Sequence, residues 1–136
     1  MNYLLDTNVC IALINEASSK VRARFIEAAR HRATLATSTI VAHELWYGVA
    51  KSELASRNAI ALTAFLGSEV TVLDYSAQDA RAAGEIRAEL ESKGLLIGEY
   101  DTLMAGQAFS RNLILVTANT REFGRVKGLA VEDWTL

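Results

Sequence analysis

The sequence predicts a single three-layer α/β domain, residues 1–136, built on a mainly parallel sheet. Three observations carry that prediction. Short apolar runs alternate with amphipathic helical segments, the order expected of βαβ units. One run, Leu113-Ile114-Leu115-Val116, is apolar at every position, which suits a strand covered on both faces. The chain's 136 residues, 51% hydrophobic and 22% charged, are enough for one ordinary core, and no repeat, low-complexity stretch or linker divides them.

The elements follow in order. Tyr3-Leu4-Leu5 reads as a short buried strand ending at Asp6. Thr7 or Asn8 is then able to cap a helix over Val9–Ile14, because either side-chain oxygen accepts from free backbone N–H groups. Ser18-Ser19 opens an amphipathic helix with Val21, Phe25, Ala28 and Ala29 near helical spacing. Leu35-Ala36-Thr37 is a strand, and the helix after it carries Ile40, Val41, Leu45 and Val49. A further helix runs from Ala55 to Leu66. Val70-Thr71-Val72-Leu73 is the next strand, bounded by Asp74. Ser76 to Glu91 is a helix with Ala80, Ala83, Ile86 and Leu90 inward and Glu85 and Glu89 outward. Ser76 and Asp79 form a variant of the capping box, and Lys93-Gly94 supplies a left-handed C-cap. Tyr100 to Ser110 is helical, and Ala130-Val131-Glu132 supplies a last edge strand.

Composition excludes several function classes. A formal charge of −2, from 14 basic and 16 acidic residues, does not suit a general nucleic-acid binder. Lys20, Arg22, Arg24, Arg30 and Arg32 crowd one segment, which reads as a solvated helix face. The single cysteine, Cys10, has no partner for an intramolecular disulfide, which fits a reducing cytoplasm. No basic n-region precedes Asp6, and no apolar run approaches the roughly 18 residues of a membrane helix, so a soluble cytoplasmic protein is expected.

Three carboxylates occupy unusual places. Asp6 directly follows a buried strand, where an open α/β sheet puts its ligand crevice. Glu44 lies beside Leu45 and Trp46 on an apolar helical stripe, and Asp101 opens the helix that continues Thr102-Leu103-Met104-Ala105. A carboxylate against apolar surface loses hydration and needs a cation, a donor or a proton. Converging in one crevice, the three would call for a hard divalent ion, and oxygen-only ligands suit Mg²⁺ or Mn²⁺. Taken singly, Asp6 also reads as a turn or cap, Asp101 as a helix start and Glu44 as a surface glutamate.

Leu4-Leu5-Asp6-Thr7-Asn8 resembles the opening of PIN-domain ribonucleases, above all the VapC toxins of bacterial toxin–antitoxin pairs. Ser38-Thr39-Ile40 through His43-Glu44-Leu45-Trp46-Tyr47-Gly48 is similar to that family's second acidic motif. Gly94 through Ile97-Gly98-Glu99-Tyr100-Asp101 resembles the third, and Val116-Thr117-Ala118-Asn119 through Glu122-Phe123 to Trp134 the close. The resemblance covers essentially the whole chain in order. It implies a PIN-like α/β/α fold and a metal-dependent endoribonuclease. Asp6, Glu44 and Asp101 would hold Mg²⁺ or Mn²⁺, with Thr117 and Asn119 positioning ligands or water. The sequence departs from many PIN domains at Asn119, where they carry a fourth acid. Glu122 is able to lend that charge but reads first as a surface glutamate before buried Phe123. His43 reads as structural, pointing away from the site.

The same resemblance implies an RNA substrate, a transfer-RNA anticodon loop first, whose cleavage would inhibit translation. It also implies a homodimer, a cognate antitoxin lying across the toxin, and a larger toxin–antitoxin assembly. Trp46, Tyr47, Phe65 and Leu66 offer surface for partners unless they are core. Rival readings fit less well. A haloacid-dehalogenase-type phosphatase wants a second aspartate where the chain has Asn8, and Lys127 is poorly placed as its lysine. A receiver domain needs an acidic pair ahead of its phosphoacceptor. The remaining alternative is a PIN fold that binds RNA or protein without catalysis.

Overall fold

The computed structural model describes residues 1–136. Five strands form one sheet: β1 (Asn2–Leu5), β2 (Thr34–Ser38), β3 (Thr71–Leu73), β4 (Ile114–Val116) and β5 (Val131–Glu132). Their order is β3-β2-β1-β4-β5, and all four pairings are parallel, so the sheet is more uniform than expected. Seven helices flank it: α1 (Thr7–Ile14), α2 (Ser19–Arg30), α3 (Thr39–Ala50), α4 (Ala55–Leu66), α5 (Ala77–Ser92), α6 (Glu99–Ser110) and α7 (Thr120–Phe123). No helix is long and apolar enough to cross a membrane.

The central strands are buried as their composition requires. Leu4, Leu5, Ala36, Leu115 and Val116 are fully inaccessible and join one core with Val21, Val41, Leu62, Leu90, Phe123 and Trp134. Trp134 packs edge to face on Tyr3 at 5.2 Å and donates its indole N–H to Glu132, pinning the short β5 against the sheet. The chain leaves β1 toward β2 and β3 on one side, then returns to β4 and β5 on the other. The strand order therefore reverses between β1 and β4, and in open parallel sheets the ligand crevice lies at that point, beyond the carboxyl ends of the strands.

Three local expectations change. Asp6, not Thr7 or Asn8, caps α1: its backbone stays extended and its carboxylate accepts from the Val9 N–H at 2.9 Å. Ala80 is exposed rather than inward, because the buried stripe of α5 passes through Asp79, Ala83 and Leu90. Asp79 is tolerated there by a dense set of donors, and the capping box with Ser76 is complete. The short α7 was not anticipated, since four residues carry no helical period. Gly94 does end α5 region in the left-handed conformation, at φ 67°. The arginines of α2 are solvated as expected, with Arg22 on Glu16 and Arg24 on Glu132.

Candidate active site

Asp6 and Thr117 stand at the carboxyl ends of adjacent strands. The Asp6 N–H donates to the Val116 carbonyl at 3.1 Å, which ties the two strand ends together at the reversal point. Thr117 is fully buried, and its hydroxyl is hydrogen-bonded to the Asp6 carboxylate. The Thr117 oxygen also accepts from the Asn119 N–H at 3.0 Å, shaping the turn into α7. Burial pushes the Asp6 carboxyl up; the bonds from Thr117 and Val9 oppose this, and the charge of Glu44 adds to it.

Glu44 reaches the crevice from α3. Because Asp6 takes over the capping of α1, Thr7 is free to donate its hydroxyl to Glu44 Oε1 at 2.8 Å. Asp101 comes from the first turn of α6, whose N-cap is Gly98 with no side-chain cap. Burial and the carboxylates of Glu122, Asp6 and Glu44 push Asp101 up to about 7. Glu122 moves the other way: Asp101 and the Asn119 amide hold it below the usual glutamate range. The Asn119 amide donates to Glu122 Oε2 at 3.0 Å.

The structure thus brings Asp6, Glu44 and Asp101 within electrostatic reach of one another, with Thr117 and Asn119 at the same strand end. It adds Glu122, which the sequence reading placed on the surface: α7 turns this half-buried side chain onto Asp101. The signal available in the sequence was the Asn-x-x-Glu spacing, which a helical turn brings together. His43 is exposed and bonded to Tyr100, with its Nε2 3.1 Å from the phenol oxygen. Of the four candidate partner-facing aromatics and aliphatics, Trp46 and Tyr47 are exposed at 41% and 61%. Phe65 and Leu66 pack against the core instead.

Whether this set suits a cation is a matter of donor chemistry. Every polar group on Asp6, Glu44 and Asp101 is a carboxylate, a hydroxyl or a backbone N–H, and no cationic side chain acts on Asp6 or Asp101. No three His, Cys, Asp or Glu side chains stand close enough to form a ready-made cage. An oxygen-only set that is open rather than caged fits Mg²⁺ or Mn²⁺, which bind through few protein carboxylates and retain several waters.

A groove of about 410 Å³ runs between α1, α3 and α4 with Glu44 at its polar side. Ile11, Ile14, Leu45, Val49 and Leu62 give it an apolar floor, and Arg57 is its only cation.

Comparison with known proteins places this geometry. Residues 3–129 match the PIN domain model. The tRNA(fMet)-specific endonuclease VapC of Shigella flexneri is 43% identical over 135 residues, covering 99% of each chain. Ribonuclease VapC2 of Rickettsia felis is 42% identical over 134 residues, covering 98% of each. Among solved structures, VapBC2 of Rickettsia felis bound to a DNA fragment from its promoter superposes with a TM-score of 0.91 at 40% identity, covering 98% of this chain and 99% of that one. DNA-bound VapBC of Salmonella typhimurium gives 0.89 at 42% identity, covering 98% of each. The four sequence motifs, the strand reversal and the acidic crevice meet in one family: this chain belongs to the PIN-domain proteins, in their VapC ribonuclease branch.

Proposed function

We propose that the chain is a divalent-metal-dependent endoribonuclease that cuts a structured RNA, a transfer RNA first, as the toxin of a toxin–antitoxin pair. The observation that carries the metal is the convergence of Asp6, Glu44 and Asp101 on one crevice, with Glu122 against Asp101 and no cationic side chain acting on Asp6 or Asp101. Asp6, Glu44 and Asp101 would hold Mg²⁺ or Mn²⁺, directly or through water. When bound, such an ion would supply acidification of a water and neutralisation of phosphate charge.

The chain's own residues prepare that chemistry. Thr117 fixes the Asp6 carboxylate from a fully buried position, and Thr7 fixes Glu44. Glu122 lies beside Asp101 and is held by the Asn119 amide, a pair able to orient water and take up a proton. Asn119 brings no charge, so the crevice holds one acid fewer at that position than many PIN domains. The tRNA assignment is supported by the named substrate of the Shigella flexneri relative.

An antitoxin segment would lie in the α1–α3–α4 groove with its apolar floor, and Trp46 and Tyr47 are further exposed aromatic surface on α3. A basic side chain of that segment entering the crevice would displace part of the cation's role. The VapBC assemblies that superpose on this chain support a protein partner.

The test is cleavage of a purified total tRNA pool with sequencing of the new ends, run with Mg²⁺, Mn²⁺ or chelator beside Asp6→Asn. Discrete ends that require metal and vanish in Asp6→Asn are expected. Cleavage surviving both chelator and Asp6→Asn would defeat the acidic-metal mechanism. A folded protein that cuts no RNA would instead be a PIN-fold binding module.

A further inference from the structure

We propose that His43 and Tyr100 form a stacking shelf for a nucleobase of the bound RNA, at the edge of the acidic crevice. This rests on the ribonuclease reading above and adds the way in which a negatively charged site gains hold of a polyanion. His43 precedes Glu44 on α3, and Tyr100 precedes Asp101 on α6. Each ring is thus one helical step from a crevice carboxylate, on the two helices that bring those carboxylates together. The His43 Nε2 and the Tyr100 hydroxyl meet at 3.1 Å, with ring centroids 5.8 Å apart and planes tilted by 40°. The bond joins the rings by their polar atoms and locks them across α3 and α6.

Both side chains are exposed, Tyr100 by 45%. Neither belongs to the hydrophobic core. A surface hydrogen bond between two exposed rings adds little to stability, so packing does not account for the pair. Its chemistry suits RNA. Phosphates approaching Asp6, Glu44, Asp101 and Glu122 are repelled until a cation intervenes. Every base, by contrast, has a neutral π-face that stacks on an aromatic ring whatever its identity, and single-stranded loops splay their bases outward. A base beside the scissile phosphate is therefore held by an interaction that needs no charge. Tyr100 and His43 act here as substrate-binding residues, with no part in proton transfer.

The experiment uses the full chain carrying Asp6→Asn, a substitution that retains a good N-cap side chain for α1. Binding of a labelled total tRNA pool is followed by fluorescence anisotropy over a range of salt concentrations, for this background and for Tyr100→Ala, His43→Ala and Tyr100→Phe within it. Tyr100→Ala should weaken binding by about tenfold, within the range measured for lost base–aromatic stacking. The slope of log Kd against log salt should stay unchanged, because no phosphate contact is lost. His43→Ala should fall in the same direction, and Tyr100→Phe, which keeps the ring, should lie near the background. In the chain with Asp6 intact, Tyr100→Ala should raise KM for tRNA cleavage with kcat little changed.

Unchanged binding and KM in a folded Tyr100→Ala overturns the shelf and leaves the nuclease standing. Weaker binding with an altered salt slope also overturns it, as does unchanged RNA binding with weakened inhibition by the antitoxin, which would assign the rings to the protein partner. If Tyr100→Ala fails to fold, His43→Ala decides by the same readings. RNA binding that depends on Tyr100 in a chain that cuts no RNA would keep the shelf and remove the nuclease. A chain that binds no RNA removes both.

Discussion

Asp79→Ala should be among the most damaging single substitutions outside the crevice. Asp79 is completely inaccessible, on the inward stripe of α5. Its carboxylate accepts from the Ser76 N–H at 2.8 Å, from Arg111 Nη2 at 2.9 Å and Nε at 3.2 Å, from the Gln107 amide at 3.4 Å and from the Ser110 hydroxyl. Alanine leaves these five donor groups, from four residues, in place without their carboxylate acceptor. Breaking a buried ion pair from one side costs about 3–5 kcal/mol, and Arg111 is 31% exposed and able to turn to water, which puts the cost at the low end, about 3 kcal/mol. Titration gives a second measure. Burial alone would raise the Asp79 carboxyl, but Arg111, Ser110 and Ser76 outweigh it and hold the group down to about 2, against an ordinary 3.8. That gap is worth about 2 kcal/mol. Because the folded value is depressed, this stability is fully present above pH 3.8 and is lost as pH falls through about 2. Urea unfolding of parent and Asp79→Ala, followed by circular dichroism across that range, should show a gap of about 2–3 kcal/mol at neutral pH that narrows on acidification. A gap below about 0.5 kcal/mol, the size of an ordinary surface change, would refute the reasoning. So would a gap that stays constant to pH 2.

Other outcomes follow from the same structure. Gly106→Ala should destabilise by about 1–3 kcal/mol in a thermal melt, since its Cβ would lie 2.6 Å from the Ala83 backbone nitrogen where α5 and α6 meet; Gly84→Ala, with nothing within 4 Å, is the control and should be neutral or stabilising. Cys10 is buried and burial pushes its thiol up to about 12, so iodoacetamide should leave the folded chain unlabelled and react after urea unfolding; stoichiometric labelling of folded protein would contradict the packing. Asn119→Asp exchanges a donor 3.0 Å from Glu122 for a like charge, so the metal-free protein should lose about 0.5–1 kcal/mol of stability, recovered on adding Mn²⁺ if the proposed ion binds there; an unfolding midpoint indifferent to Mn²⁺ counts against the site.

Much of this fold was legible because its signals are local. The Leu113–Val116 run, the Ser76–Asp79 box and Gly94 each report on a few neighbouring residues, and α4 occupies the span from Ala55 to Leu66 that its pattern indicates. What escaped depends on distant partners. Ala80 reads as inward from its apolar side chain and Asp79 only as a capping residue; Asp79 is buried because Gln107, Ser110 and Arg111 arrive from the far end of α6. Asp6 announced itself as a strand-end carboxylate, yet nothing along the chain brings Glu44 and Asp101 to it. The strand order does, by setting β1 beside β4 and packing α3 and α6 at their ends. Glu122 was misplaced because a helix of four residues has too little period to orient a side chain.

The protein treats its two most burdened aspartates in opposite ways, and the difference bears on function. Asp79 is enclosed and given an internal cation: Arg111 closes the pair, and the carboxyl falls to about 2. Asp101 is partly buried and given further carboxylates instead, and it rises to about 7. The fold is plainly able to supply an arginine where a buried acid needs one, and at the crevice it does not. Arg125 acts only on Glu122 and is itself engaged with the Leu96 carbonyl at 3.0 Å. An arginine placed among Asp6, Glu44 and Asp101 would stabilise the folded chain and would also occupy the position a dissociable ion needs. Leaving that charge unbalanced costs stability in the free protein. In the function proposed above, that cost would be offset by positive charge from outside, a metal ion or a basic side chain of a protein partner. Under the proposed function both would compete for the same carboxylates, so one crevice would serve both RNA cleavage and its inhibition.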